Sequence, residues 1–337
     1  MKQRMLPVVA AAIAALLFGA APASAQQKEV TIAYQDMVIP YRIAQEAKEI
    51  EKATGYKITW KQFGGGGEVI KALAANAVQI GEVGSAGIAA AVSRGEPLEL
   101  FWILDDIGSA EALVVKNGSG INTVADLKGK KIGVPFNSTT HFHTLVALEQ
   151  AKVNPADVQI LNLRPPEVRA AWQRGDIQAT FIWDPVLADA KKDGKVIMTS
   201  GQISASTGKA TFDGYVVNKD WAKANKDFLV KFVKIMAAAD ANYAANKAKW
   251  TAGSPEIAAV AKWSGAKPED APASIALYQF PTAAEQASKW LGGGKNSVAA
   301  KALASTAEFQ LSQKQIEKVL PDYSVAVNPE YALAASK

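Results

Sequence analysis

Short runs of β-branched and apolar residues alternate with stretches of helical period through most of the chain before residue 220. The runs Val30–Tyr34, Ile58–Phe63, Gln79–Val83 and Leu98–Leu104 have the length and composition of buried strands. Four more follow at Lys131–Pro135, Gln159–Leu163, Ala179–Trp183 and Val196–Met198. Helical periods fall between them, as at Tyr41–Thr54, Glu68–Asn76, Ala86–Ser93 and Phe142–Ala151. This alternation predicts an α/β fold of βαβ units, with mainly parallel sheets flanked by helices. In such sheets a ligand binds beyond the carboxyl ends of the strands, where helix N-termini point at it.

Two further runs nearly repeat each other: Glu111-Ala-Leu-Val-Val-Lys116 and Asp213-Gly-Tyr-Val-Val-Asn-Lys219. Each carries a carboxylate at the mouth of an apolar strand. Burying a carboxylate costs on the order of several kcal/mol unless it meets a cation or hydrogen-bond donors. Two in matched positions point to a shared positive ligand. Strands paired in this way are where a two-lobed chain crosses from one lobe to the other and back, so the ligand would sit in the cleft. From Trp221 onward the pattern is helical, with segments Asp227–Ala245, Pro255–Trp263, Thr282–Leu291 and Ser297–Leu311. Such a tail would pack back on the first lobe. The expected organisation is a discontinuous first lobe, 26–110 with 216–337, and a continuous second lobe, 111–215.

The first 25 residues read as a signal peptide and not as part of the fold. Lys2 and Arg4 precede an apolar run to Ala21, and Ala23-Ser24-Ala25 is a small-residue cleavage site that leaves Gln26 as the mature N-terminus. The run is short for a membrane span. Cysteine is absent, which excludes disulfides, thiolate chemistry and a lipid-bearing Cys at the cleavage site. Cleavage leaves 312 of the 337 residues, enough for two domains, and a net charge of +3 in place of +5. That charge is too weak and scattered for nucleic acid. Lys128-Gly-Lys130-Lys131 reads as a solvated loop before a strand. The mature protein is expected in the periplasm.

Three strand ends run into helix starts rich in small or hydroxyl residues: Gly64-Gly65-Gly66-Gly67, Gly84-Ser85-Ala86 and Asn137-Ser138-Thr139-Thr140. Glycine lets backbone N–H groups approach a ligand, and the helix dipole favours an anion there. Any one alone is an ordinary capped turn. Three of them, from both expected lobes and beside two carboxylates, are harder to dismiss as ordinary caps. The Gly64 run lacks the Lys-Ser/Thr of a P-loop, and no Gly-x-Ser-x-Gly elbow occurs. His141 and His143, the only histidines, stand two apart and face different ways on a helix, so a metal site is not expected. Trp183 could wall the cleft, although core packing explains most such aromatics.

These stretches resemble the taurine-binding proteins of bacterial ABC importers, within the wider family that binds aliphatic sulfonates and nitrate. The resemblance is carried by Val30-Thr-Ile-Ala-Tyr-Gln35, Val78-Gln-Ile-Gly-Glu-Val-Gly-Ser85, Gly108-Ser-Ala-Glu-Ala-Leu-Val-Val-Lys116, Val134-Pro-Phe-Asn-Ser-Thr-Thr-His141, Ala170-Ala-Trp-Gln-Arg-Gly-Asp176 and Asp213-Gly-Tyr-Val-Val217. It implies a two-lobed type II periplasmic binding protein that closes around its ligand. It further implies that Glu111 and Asp213 take an ammonium group, while Gln35, Ser85, Ser138, Thr139 and nearby backbone N–H groups hold a sulfonate beside Trp183. Gly65, Gly66, His141 and Tyr215 are further candidates for the lining. The run Gly64–Gly67 departs from the Asp-Ser-Gly type of turn common in the family and removes a hydroxyl donor. The implied partners are taurine or a related aminosulfonate and an inner-membrane permease with its cytoplasmic ATPase. The implied state is a monomer without cofactor or metal. The alternatives are a binding protein for another zwitterion, an alkanesulfonate or nitrate, and an enzyme on a related fold. Against the enzyme stand the signal peptide, the lack of cysteine and the lack of a recognisable nucleophile–base pair.

Overall fold

The structure, a computed structural model, describes residues 28–337. The expected signal peptide and its cleavage site lie outside the described residues. In chain order the strands are β1 (Glu29–Tyr34), β2 (Lys57–Gln62), β3 (Ile80–Gly84), β4 (Leu98–Asp106), β5 (Glu111–Lys116), β6 (Lys131–Val134), β7 (Gln159–Asn162), β8 (Ala179–Trp183), β9 (Gly194–Thr199) and β10 (Phe212–Asn218). They form two five-stranded sheets, ordered β2-β1-β3-β10-β4 and β7-β6-β8-β5-β9.

The two sheets share one plan. Four of the five strands run in one direction, and the fourth in order is inserted antiparallel to both of its neighbours. The inserted strands are β10 and β5, the two near-repeats, so each sheet is mainly parallel, as expected, with one antiparallel strand. The physical consequence is positional. An antiparallel strand begins where its parallel neighbours end, so the first residues of β5 and β10 lie at the carboxyl edge of each sheet. Glu111 stands opposite Trp183, the last residue of β8. Asp213 stands opposite Gly84, the last residue of β3.

The helices are α1 (Arg42–Glu46), α2 (Glu49–Thr54), α3 (Gly66–Ala74), α4 (Ser85–Ser93), α5 (Thr139–Gln150), α6 (Pro165–Arg174), α7 (Val186–Ala190), α8 (Ser200–Thr207), α9 (Lys219–Ala224), α10 (Lys226–Asn246), α11 (Pro255–Ser264), α12 (Ala271–Ile275), α13 (Ala283–Glu285), α14 (Val298–Ser312) and α15 (Glu330–Ala335). The helix expected over Tyr41–Thr54 is two, because Lys48 between them is left-handed at φ 54°. Between α13 and α14 the chain widens into a π turn over Gln286–Trp290.

Side chains alternate across each strand, and helices cover both faces, so the central strands are apolar throughout. In β5, Leu113 and Val115 join one core cluster, while Ala112 and Val114 join another on the opposite face. The first sheet packs Phe101, Trp102 and Tyr215 against Phe232 of α10, Leu303 of α14 and Tyr331 of α15. The helical tail thus covers the first sheet, but it also does more. Phe309 of α14 reaches the second core and stands 5.2 Å from Phe142, edge to face. A buried aromatic of this kind contributes about 1.5–3 kcal/mol, enough to fasten the tail to both halves.

Candidate functional site

β1, β3, β6 and β8 end on one side of the molecule, and α3, α4 and α5 start there with their N-termini converging. The contact is close enough to demand glycine. A Cβ on Gly84 would lie 2.8 Å from Thr139 Cγ2 and 3.0 Å from Asp213 Oδ1. One on Gly67 would lie 3.2 Å from both Asn137 Cβ and the Phe136 carbonyl oxygen. The run Gly64–Gly67 therefore has a packing reason: it lets the start of α3 press against the opposite half. Between the halves is a small cavity. Gln35, Met37, Gly66 and Gly84 line it from the first sheet's side, and Glu111, Ser138, Thr139 and Trp183 from the second's. Asp213 and Tyr278 complete the wall.

One end of this cavity is acidic. Glu111 and Asp213 are both buried, and no Lys or Arg lines the cavity. Burial, then the charge of Glu111, pushes Asp213 well above the usual carboxylate range. Burial pushes Glu111 up to about 7, while the hydroxyls of Thr139 and Ser200 pull the other way. Hydrogen-bond accounting favours a proton on Glu111 when the cavity holds no cation. His143 Nε2 lies 2.9 Å from the Lys209 carbonyl oxygen, so it carries the ring proton and leaves Nδ1 as an acceptor. Ser200 Oγ lies 2.8 Å from that Nδ1 and 3.0 Å from Glu111 Oε2. One hydroxyl proton cannot serve both neighbours. With His143 neutral, as burial dictates by lowering it to about 4, a protonated Glu111 completes the chain by donating to Ser200.

The wall is also built from helix starts. The first-turn N–H groups of an α-helix have no intrahelical acceptor, and the cavity is lined by first-turn residues Gly66 of α3 and Thr139 of α5. The hydroxyls nearby are already committed. Ser138 Oγ caps α5 by accepting from His141 N–H at 3.1 Å, and it donates to the Pro135 carbonyl oxygen at 2.6 Å. The Thr139 hydroxyl donates to Glu111. These hydroxyl bonds leave the backbone N–H groups, which the resemblance also implies, as the uncommitted donors. Gln35 likewise gives its side-chain amide to the Glu82 carbonyl oxygen at 3.0 Å.

Of the residues expected from sequence, Gln35, Gly66, Glu111, Ser138, Thr139, Trp183 and Asp213 are brought together around the cavity. Four others stand elsewhere. Ser85 is buried behind the wall and accepts from the Phe212 N–H at 3.3 Å, tying α4 to β10. Tyr215 lies in the first core and donates to Glu82 Oε1 at 3.2 Å. His141 stacks on Phe136 at 4.3 Å. Gly65 faces an outer groove beside Pro135 and Arg164.

Trp183 does more than wall the cleft. Its Nε1–H donates to Asp36 Oδ1 at 2.8 Å, a hydrogen bond between the two halves. Burial raises Asp36 to about 6 against that bond. Sequence reasoning missed Asp36, Met37 and Tyr278. Asp36 and Met37 directly follow the singled-out Gln35, a signal that could have been used. Tyr278 comes from the helical tail, where nothing in the local pattern marks it. The tail touches the second half again where Ser274 Oγ donates to Asp184.

A family model described as "ABC transporter, phosphonate, periplasmic substrate-binding protein" matches residues 29–258. The chain is 37% identical to the taurine-binding periplasmic protein of Escherichia coli over 307 residues, 91% of this chain and 93% of that protein. It is 30% identical to a putative aliphatic sulfonates-binding protein of the same organism over 224 residues, 66% of this chain and 69% of that protein. Among solved structures, the periplasmic aliphatic sulphonate binding protein SsuA of Escherichia coli superposes with a TM-score of 0.66 at 25% identity, covering 90% of this chain and 91% of that one. The family-model match covers every strand from β1 to β10 and every cavity-lining residue except Tyr278. The chain belongs to the periplasmic substrate-binding proteins of ABC transporters.

Proposed function

We propose that this protein binds taurine, or a closely related aminosulfonate, in the cavity between its halves and delivers it to an inner-membrane ABC permease. The carrying observation is the pair of buried carboxylates, Glu111 and Asp213, that shares with helix N-termini a cavity lined by no basic side chain. Taurine has a compact ammonium two carbons from a tetrahedral anion, which suits carboxylates and helix N-termini in sign. A simple alkanesulfonate or nitrate offers no cation and leaves the two acids without a counter-charge. A carboxylate analogue lacks one acceptor oxygen, leaving a buried donor unmet at about 1–3 kcal/mol. The resemblance to a taurine-binding relative at 37% identity supports the same reading. The protein acts as a periplasmic monomer and not as an enzyme.

The halves, lobes at 26–110 with 216–337 and at 111–215, close about the chain crossings when ligand arrives. Contacts from both sides are complete only in the closed form, which is what lets a ligand shift the population. Calorimetry of the mature protein against taurine, β-alanine, an alkanesulfonate, nitrate and glycine betaine tests the assignment. Taurine is expected to bind 1:1 with submicromolar to micromolar affinity, within the ceiling of about 1.5 kcal/mol per heavy atom. Tighter binding of the alkanesulfonate would overturn it.

A further inference from the structure

Asp105, the penultimate residue of β4, is fully buried, and neither of its carboxylate oxygens has a hydrogen-bond partner. In the β4–β10 pairing it stands directly opposite Asp213. Residues opposed in this way present their side chains on the same face, with Cβ atoms about 4.5–5.5 Å apart. Asp213 lines the cavity, so Asp105 adjoins the acidic end at its shoulder. The Tyr278 phenol lines the cavity too, and the charges of Asp105, Asp213 and Glu111 all bear on it. The nearby buried guanidinium, Arg42, is fully engaged with Glu82, Gln35 and Gln45. Nothing within the fold answers Asp105.

A buried carboxylate without a partner lowers stability, so its presence calls for an occupant. Resting on the reading of the cleft as an aminosulfonate site, we propose that Asp105 is a third ligand of the substrate's cation, beside Glu111 and Asp213. A primary ammonium carries three N–H donors, one for each carboxylate. Each N-methyl group removes a donor and leaves one buried acid unmet. The site is therefore selective for a primary ammonium over its N-methylated forms, and Asp105 sets part of that selectivity.

The test compares the parent with Asp105→Asn and Asp105→Ser, using taurine and N-methyltaurine in calorimetry and a thermal melt without ligand. The parent is expected to prefer taurine, and each variant to lose about 10- to 100-fold in taurine affinity together with part of the preference. Without ligand both variants should melt higher than the parent, since a carboxyl group that burial holds neutral and that has no hydrogen-bond partner is gone. Unchanged taurine affinity, an undiminished preference, or a lower melting temperature in both variants would overturn the role. If the parent itself does not bind taurine, the proposed function falls. The ligand-free melts still decide on Asp105: a rise keeps it as an acid held for a cation, and a fall makes it part of the fold.

Discussion

Two buried acidic clusters lie two residues apart along the same strand pair, and they are built in opposite ways. Glu82 of β3, opposite Tyr215, is answered from within. It pairs with Arg42 Nη1 at 3.0 Å, accepts from the Gln35 N–H at 2.6 Å and from Tyr215 at 3.2 Å, and meets the Tyr41 hydroxyl. Asp213 and Asp105, one pleat further on, meet no cation of the chain, and Glu111 across the cavity has only hydroxyls. The first cluster is neutral as a unit and complete when the chain folds. The second is complete only when something positive enters. A buried carboxylate is thus not in itself a sign of function; what matters is whether the fold supplies its counter-charge.

The sharpest way to break this contrast is to remove the internal cation. Arg42→Met should cost about 3–5 kcal/mol of folding stability, because it strands Glu82 in the core; denaturant unfolding reads this directly. A loss under 1 kcal/mol would erase the distinction between the clusters. Next in size, Asp213→Ala should weaken taurine binding by about 2–5 kcal/mol. In the same unfolding assay the ligand-free variant should be no less stable than the parent. A variant that loses stability as Arg42→Met does would place Asp213 among the structural acids.

A pH series sharpens the comparison further. Glu111 is held at about 7 in the ligand-free protein, above its ordinary value, by burial. Its contribution to stability is therefore present below the unfolded value of about 4.3 and is lost as pH rises through about 7. An ammonium beside it reverses the preference, so binding expels the proton. Taurine affinity should accordingly rise about tenfold or more from pH 5.5 to pH 8, and Glu111→Gln should flatten that rise. A profile flat in the parent would show Glu111 ionised before ligand arrives. The smallest expected effect is that of Trp183→Phe, which deletes the Nε1–H bond to Asp36 and is worth about 1 kcal/mol. Small-angle scattering of the ligand-free variant should show a larger radius of gyration than that of the parent. Superimposable curves would leave that bond without a role in closure.

Much of this was legible along the chain. The strand runs, the helical tail and the two carboxylate-led repeats depend on local period and composition, which the sequence displays directly. Glu111 and Asp213 stood out because a charge at the mouth of an apolar strand is visible without a structure. Asp105 was hidden for the converse reason. In Phe101-Trp-Ile-Leu-Asp-Asp106 it reads as the polar end of a strand, and only the pairing with β10 turns that end inward.

What the sequence determined by itself was therefore the class of fold, the two strands that join its halves and the sign of the charge waiting at their starts, all properties of segments of six to nine residues. Tertiary structure alone decided which hydroxyls remained free. The hydroxyls of Ser138 and Thr139 are engaged by the N-cap of α5 and by the carboxylate of Glu111, which no local pattern shows. It also decided that Tyr278 of the tail reaches the cavity and that Glu82 has a partner while Asp105 has none. Hydrogen bonding and charge compensation are settled by neighbours distant in sequence, and a local pattern carries no record of them.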